Sequence, residues 1–328
     1  MPFRELTKRF FLGKSRDPLD PHVFHQLSLA AFLAWVGLGA DGLSSSCYGP
    51  EEAFRALGTH THLAVFLAAA TAVTIIVISA SYSQIIEFFP TGGGGYLVAT
   101  RLLGGGAGLV SGAALVVDYS LTIAMSVAAG VAALSSEPIA RGVPAPTRLL
   151  FSVLIVVALI ILNLRGMKES VQVLVPIFLV FLATHAALIA FGIGRHTAEI
   201  PRLAVDTLRD THDTWASLGG FAFIALLLKA FSMGGGTYTG IEAVSNGLQI
   251  LREPRVKTGK RTMLYMAVSL SVTAGGLLLC YLLAGGPRPD AERRPRQEAG
   301  RRGAGLRPAG PRLRLPGARG RRGAALRG

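Results

Sequence analysis

Charged residues are scarce in this sequence. They make up 16% of the 328 residues, whereas hydrophobic residues make up 51% and the mean hydropathy is +0.48. A soluble globular domain carries about 25% charged residues, so this scarcity excludes that class. Apolar runs recur along the chain, and runs of about twenty residues can cross the hydrocarbon core of a bilayer. The sequence therefore predicts an integral membrane protein.

Three further absences restrict the kinds of membrane protein that the sequence can form. The chain has two cysteines, Cys47 and Cys280, which exclude a disulfide framework or a cysteine-based metal cluster; we expect both to be small buried side chains. Strand-like alternation is missing, so helices are the remaining way to span a membrane. No small-residue cleavage site follows the first apolar run, so we expect a retained transmembrane helix there.

Seven hydrophobic segments can be drawn, and each uninterrupted one is long enough to cross a core of ~30 Å at ~1.5 Å per residue. Their approximate bounds are 27–57, 63–89, 107–136, 147–165, 171–192, 217–248 and 260–284, and the first and sixth are interrupted. We predict an all-α transmembrane transporter domain over 27–284, preceded by a cytoplasmic segment over 1–26.

Lysine and arginine set the expected orientation, because cytoplasmic loops carry an excess of them. Basic residues cluster in the N-terminal segment, at Arg165 and Lys168, and in a predicted loop over 252–261. These stretches alternate with weakly charged or acidic ones. We therefore expect a multi-pass protein of the plasma or inner membrane with a cytoplasmic N-terminus.

The tail over 285–328 differs from the rest of the chain. It holds 13 arginines and three acidic residues, and so supplies +10 of the net charge of +14. It has no aromatic residue, lysine, valine, isoleucine, serine or threonine, as in a GC-rich gene read out of frame. We interpret the tail as disordered, with the true reading frame lost near Gly285 or Gly286. The competing interpretation is a solvated tail that binds anionic surfaces.

Resequencing the gene across codons 285 and 286 tests the lost frame. We expect a one- or two-base error or mutation whose repair restores an apolar reading frame beyond Ala284. An intact frame with a natural stop after Gly328 would contradict this expectation.

Two hydrophobic segments are interrupted in a matching way. The first contains Gly37, Gly39, Gly42 and Pro50, and the sixth contains a run of three glycines followed by Gly240. An interruption at membrane depth is tolerated where the free backbone groups line a cavity or meet a ligand. A matching pair of such segments points to the substrate site of a secondary transporter built from inverted repeats. We therefore predict broken helices 1 and 6 and a repeat of five helices, with the backbone unwound at residues 39–43.

Oxygen-bearing side chains lie in and near these interruptions. Carboxylates are costly inside a membrane and are functional candidates there. Hard cations prefer carboxylate, carbonyl and hydroxyl oxygens. On the third segment a carboxylate and three hydroxyls fall within 100° of one helical face. The predicted ion-binding residues are Asp41, Tyr48, Asp118, Tyr119, Thr122, Ser126, Thr239 and Glu242.

These stretches resemble a known family. The Pro-x-Gly-Gly-x-Tyr region of the amino acid-polyamine-organocation (APC) superfamily is similar to "FFPTGGGGYLVATRLLGGGAGLVSGAALVVDYSLTIAMSVAAGV". The KimA-type potassium uptake branch is similar to "ADGLSSSCYGPEEAF" and "LLLKAFSMGGGTYTGIEAVSNGLQILREP". The resemblance covers residues 22–284. It implies a LeuT-like fold of two inverted five-helix repeats, alternating access, and proton-coupled potassium import without a bound cofactor. It also places potassium at Asp41, Tyr48, Asp118 and Thr239.

The chain departs from the full pattern, because two complete repeats need ten core helices and this sequence supplies about seven. The cytoplasmic C-terminal domain that is common in the branch is also missing. The formation of a homodimer stays open. The chain is thus interpreted as a partial LeuT-like fold, and inactivity of the 328-residue chain stays open as well.

Alternative functions have less support in the sequence. An amino acid permease of the same superfamily is the main one, although Asp41 stands where such permeases receive a substrate carboxylate. Two like charges ~4 Å apart repel by about 4 kcal/mol at an effective dielectric constant near 20. We expect no enzyme, because the glycine run at 92–95 lacks the Lys-Ser/Thr of a phosphate loop. We expect no nucleic-acid partner, because the basic charge belongs to the tail.

Overall fold

The computed structural model describes residues 28–138 and 142–284, apart from the side chains of residues 165, 167 and 168. The predicted N-terminal segment over 1–26 and the arginine-rich tail over 285–328 lie outside these residues.

The described residues form α-helices joined by short turns and 3₁₀ segments. The helices are α1 (Ala31–Ser45), α2 (Gly49–Ala56), α3 (Ala64–Phe88), α4 (Gly94–Leu103), α5 (Gly105–Ser136), α6 (Ala145–Arg165), α7 (Met167–Arg195), α8 (Ile200–Leu218), α9 (Gly220–Met233), α10 (Ala243–Asn246) and α11 (Arg255–Leu283). The 3₁₀ segments are Thr61–Leu63, Thr197–Glu199, Gly235–Tyr238 and Leu248–Ile250.

Five helices in the described part of the chain are long and apolar enough to cross a membrane, namely α3, α5, α6, α7 and α11. They match five of the seven predicted segments. The sequence α8–α9 would give a sixth span if counted as one, but it bends by 117° at Gly219. The two remaining predicted segments are the interrupted ones, whose helical pieces are too short to span singly.

The first interruption lies later than predicted. Helix α1 continues through residues 39–43 to Ser45, and the break is the turn over residues 46–48. Pro50 explains the position, because proline has no N–H to donate to the carbonyl of Ser46 and its ring clashes with that carbonyl, whereas it is tolerated in the first turn of α2. The predicted unwinding at 39–43 is therefore wrong. Cys47 lies in this turn and is exposed, contrary to the expectation of a buried side chain.

The sixth segment also differs from its predicted bounds. Its membrane helix α9 begins at Gly220, and the preceding helix α8 carries Arg202, Asp206, Arg209 and Asp210. A charged, amphipathic helix of this kind is typical of a membrane interface. The second break, which we define as residues 234–242, contains the 3₁₀ turn Gly235–Tyr238 and is followed by the short helix α10.

Two other parts of the chain depart from the prediction. Helix α4 was not predicted. It is a separate helix because the three left-handed glycines at 92–94 interrupt the chain after α3. Helix α11 begins at Arg255, five residues before the predicted segment, so that most of the basic residues assigned to a loop lie in its first two turns. Pro254 directly precedes this start, where its missing N–H removes no hydrogen bond from the helix.

The core forms around α11, which packs against α3, α1 and α7. Its fully buried side chains include Met263, Met266 and Leu270. The start of α1 is tied to the end of the second broken segment by backbone hydrogen bonds: Leu29 donates to Ile250 and accepts from Arg252, both at 2.9 Å. By contrast, none of the apolar window of α6 is buried, as expected for a helix that faces lipid or further protein.

Candidate functional site

The two broken segments meet face to face. A Cβ atom added to Gly240 would lie 2.8 Å from Asp41 Oδ2 and 2.9 Å from the backbone nitrogen of Gly42. A Cβ atom on Gly42 would lie 3.4 Å from the carbonyl oxygen of Thr239. Asp41 and Thr239 thus lie on opposite sides of one contact between the two breaks.

Tyr48 and Thr237 extend this contact toward α2. A Cβ atom on Gly49 would lie 2.1 Å from Thr237 Oγ1, and one on Gly236 would lie 3.2 Å from the ring of Tyr48. The Tyr48 hydroxyl donates a hydrogen bond to Ser45 Oγ at 3.0 Å. Tyr48 therefore borders the meeting of the two breaks, and its hydroxyl group is directed back toward α1.

Three carboxylates from three separate segments lie near the contact. Asp41 on α1, Asp118 on α5 and Glu242 in the second break lie near enough to repel one another. All three are only partly exposed. Glu242 Oε1 is buried and has no hydrogen-bond partner within the described residues. The cluster is therefore strongly acidic, and one of its oxygens is free to accept a proton or a cation.

The oxygen-bearing face of α5 is only partly directed toward this cluster. The Tyr119 side chain lies near the Glu242 carboxylate, and Thr122 is buried with 7% of its surface exposed. Ser126 instead lines a gap between α5 and α6, where its hydroxyl is buried without a partner among the residues described. The structure therefore places Asp118 and Tyr119 at the cluster and Ser126 in a different gap.

Asn246 is a site residue that the sequence analysis missed. Its Nδ2 donates to the Tyr119 hydroxyl at 2.9 Å, and its backbone carbonyl accepts from the Gly93 N–H at 3.3 Å. A Cβ atom on Gly94 would lie 2.0 Å from Asn246 Oδ1, so the glycine run lets the loop before α4 approach this side chain. The available signal was its spacing of four residues from Glu242, which places both on one helical face.

The backbone of α1 near Asp41 is less open than predicted. Its carbonyl oxygen accepts hydrogen bonds from the hydroxyls of Ser44 at 2.8 Å and Ser45 at 3.1 Å. These two serines were also missed, although the run of three serines after Asp41 could have suggested such bonds. Across residues 28–138 and 142–284, no three His, Cys, Asp or Glu side chains converge closely enough to hold a metal ion.

Gly240 gives a direct test of the contact. Its φ of +88° is left-handed, and an alanine there would place its methyl group against Asp41 Oδ2. We expect Gly240→Ala to lower the free energy of unfolding by about 2–3 kcal/mol, since a strained non-glycine backbone costs 1–3 kcal/mol. Thermal unfolding in detergent measures the effect.

Gly235→Ala is the matched control, because a Cβ atom on Gly235 would meet no heavy atom within 4 Å and its φ is not positive. We expect a change within about 0.5 kcal/mol. Equal effects of the two substitutions would show that the close packing of the breaks does not matter for stability.

Known transport proteins are similar to this chain. A family model described as amino acid permease matches residues 28–287. Potassium transporter KimA of Bacillus subtilis (strain 168) is 34% identical to this chain over 291 residues. The aligned region covers 86% of this chain and 46% of that protein. The chain thus spans about half the length of this curated relative.

Proposed function

Because the chain belongs to the amino acid permease family, part of the APC superfamily of membrane transporters, we propose that it forms part of a proton-coupled potassium importer working by alternating access. The observation that carries the proposal is the acidic cluster of Asp41, Asp118 and Glu242 at the meeting of two broken helices. The similar protein from Bacillus subtilis is itself named a potassium transporter.

Electrostatics favours a cation at this cluster. At an effective dielectric constant near 20, a unit cation ~4 Å from a carboxylate is stabilised by about 4 kcal/mol, and an anion at the same place is destabilised equally. The unpaired oxygen of Glu242 suits either an ion or a proton. Hydroxyl and carbonyl oxygens of Tyr48, Thr122 and Thr239 would complete the coordination, because the carboxylates do not converge tightly enough to hold an ion alone.

Hydrogen bonding at the first break also favours potassium over an amino acid. A permease for amino acids needs free backbone N–H groups there to receive the substrate carboxylate. Here the N–H groups of Ser46, Cys47 and Tyr48 donate to the carbonyls of Leu43, Ser44 and Ser45. The groups that would receive a carboxylate in this turn are therefore already used.

The order of helices supports a LeuT-like pair of inverted repeats. Counting the broken pair α1–α2 as the first span, α3, α5, α6 and α7 are the second to fifth, and the broken segment after α9 is the sixth. The break thus recurs after five spans. The cell membrane as location and the cytoplasmic N-terminus are part of the same proposal, whereas a multi-pass membrane protein follows from the family and the helices.

Amino acid transport is the second candidate, because the matching family model is described as an amino acid permease. A substrate with both an ammonium and a carboxylate group could use the acidic cluster for its ammonium end. The transporter family and the transporter relative both support a protein that is not an enzyme.

Growth at low potassium discriminates between the candidates. A host lacking its own potassium uptake would express either the 328-residue chain or the gene with its reading frame restored near codon 285. We expect the restored gene to rescue growth and to take up rubidium, a potassium substitute, when the outside is acidified. Uptake of labelled amino acids without growth at low potassium would overturn the potassium proposal and support the permease.

A further inference from the structure

A long groove lies on the outer surface between α3 and α11, separate from the acidic cluster. Its volume is about 1190 Å³. Its walls include Ile76 and Ala80 from α3, and Leu264, Val268 and Val272 from α11. Except for Ala80, these are large apolar side chains with more than half of their surface exposed. A groove of this kind suits hydrocarbon.

One end of the groove is basic. Lys257, Lys260 and Arg261 line it there, on the first two turns of α11. Lys260 forms an ion pair with Glu87 of α3, whereas Lys257 and Arg261 are exposed and form no salt bridge within the described part of the chain. The mouth therefore carries three cations and one carboxylate, and that carboxylate is already paired.

The spacing of charge and apolar surface matches one leaflet of a bilayer. Lys257, Arg261, Leu264, Val268 and Val272 fall on one face of α11 at 100° per residue. The apolar stretch from Leu264 to Val272 spans about 12 Å at 1.5 Å per residue. That length is close to half of a hydrocarbon core of ~30 Å, which puts the cations at the level of the lipid head groups.

We propose that this groove binds an anionic phospholipid, with its phosphate at Lys257 and Arg261 and its acyl chain along α3 and α11. Basic pockets between transmembrane helices recognise acidic head groups in this way. Glu87 is engaged by Lys260, so the mouth offers no free carboxylate to the ammonium group of a zwitterionic lipid. The expected orientation also directs these cations toward the cytoplasmic leaflet, where anionic lipids collect.

Native mass spectrometry of the detergent-purified 328-residue chain tests the proposal without requiring transport. Phosphatidylglycerol and phosphatidylcholine with identical acyl chains would be added in separate titrations. Two unpaired cations near a membrane surface correspond to roughly thirtyfold tighter binding of the anionic lipid. We expect Lys257→Gln with Arg261→Gln to abolish this preference.

The matched control is Arg202→Gln with Arg209→Gln, which removes the same charge from exposed positions on α8. We expect this control to keep the preference. A second variant, Ala80→Trp, fills the groove without changing its charge, and we expect it to weaken retention of both lipids. Thermal unfolding confirms that each variant is folded.

Three outcomes would overturn the proposal. The first is equal binding of the two lipids by the unmodified chain, and the second is an equal loss of preference in the groove and control variants. The third is a dimer, growing with protein concentration, in which the groove is covered by a second copy and no lipid is retained. Because none of these readouts measures ion transport, the potassium proposal stands or falls separately.

Discussion

Asp41→Asn is expected to abolish potassium uptake while leaving the protein folded. Asparagine keeps the shape of aspartate next to Gly240 but removes the charge from the contact between the two breaks. Loss of about 4 kcal/mol of attraction, estimated for an ion ~4 Å away at an effective dielectric constant near 20, corresponds to roughly a thousandfold weaker binding. Rubidium uptake by cells carrying the frame-restored gene measures the change.

Asp213→Asn is the control for Asp41→Asn. It makes the same chemical change on α8, where the Asp213 side chain is 67% exposed, and we expect uptake close to that of the unmodified protein. Uptake by Asp41→Asn within about threefold of the control would rule out Asp41 as a cation ligand. Removing a ligand charge at contact distance should weaken ion binding by far more than about threefold.

Glu242→Gln is expected to change stability and uptake in opposite directions. It removes one of three mutually repelling charges and replaces a buried carboxylate whose Oε1 lacks a partner within the described residues. At separations of ~7 Å, each repulsion is about 2 kcal/mol at an effective dielectric constant near 20. In potassium-free buffer at pH 8, we expect the unfolding midpoint to rise by about 4 °C or more. Uptake should fall by at least about a hundredfold, since the neutral amide offers no charge to the ion and cannot carry the proton.

Glu199→Gln provides the comparison for stability, because Glu199 is an exposed carboxylate at the start of α8. Its substitution should leave both the midpoint and uptake nearly unchanged. A lower midpoint in Glu242→Gln would mean that the carboxylate is held by interactions worth more than the repulsion, and the interpretation of an unpaired acidic cluster would then be wrong.

Features that follow from composition and from the length of apolar segments could be predicted from the sequence. Five spanning helices and the two broken segments were predictable because apolar length and glycine runs are local properties. The proximity of Asp41 to the second break could be anticipated, because matching interruptions in two hydrophobic segments point to one shared site. The position of the first break was not, since Pro50 acts on a carbonyl four residues earlier and outweighs the permissive glycines at 39 and 42.

The missed parts of the site depend on contacts between distant segments. Asn246 is one of two asparagines in the sequence, and only the fold brings it to Tyr119 and to the glycine loop. Ser126 shows the opposite error. It shares a helical face with Asp118 and Tyr119 and was therefore expected at the cluster, but it lies in the gap between α5 and α6. Side-chain periodicity gives the direction from the helix axis, whereas the neighbour on that side is set by tertiary packing.

The short backbone pairing at Leu29 has a mechanical consequence for the alternating access that we propose. Its hydrogen bonds to Ile250 and Arg252 fasten the residues just before α1 to the chain beyond the second break. The two broken segments therefore share a fixed end and cannot slide past each other. In the proposed cycle we therefore expect the site to open by a rotation about this fastened end, with the largest displacement at the opposite end, near Tyr48 and Gly236.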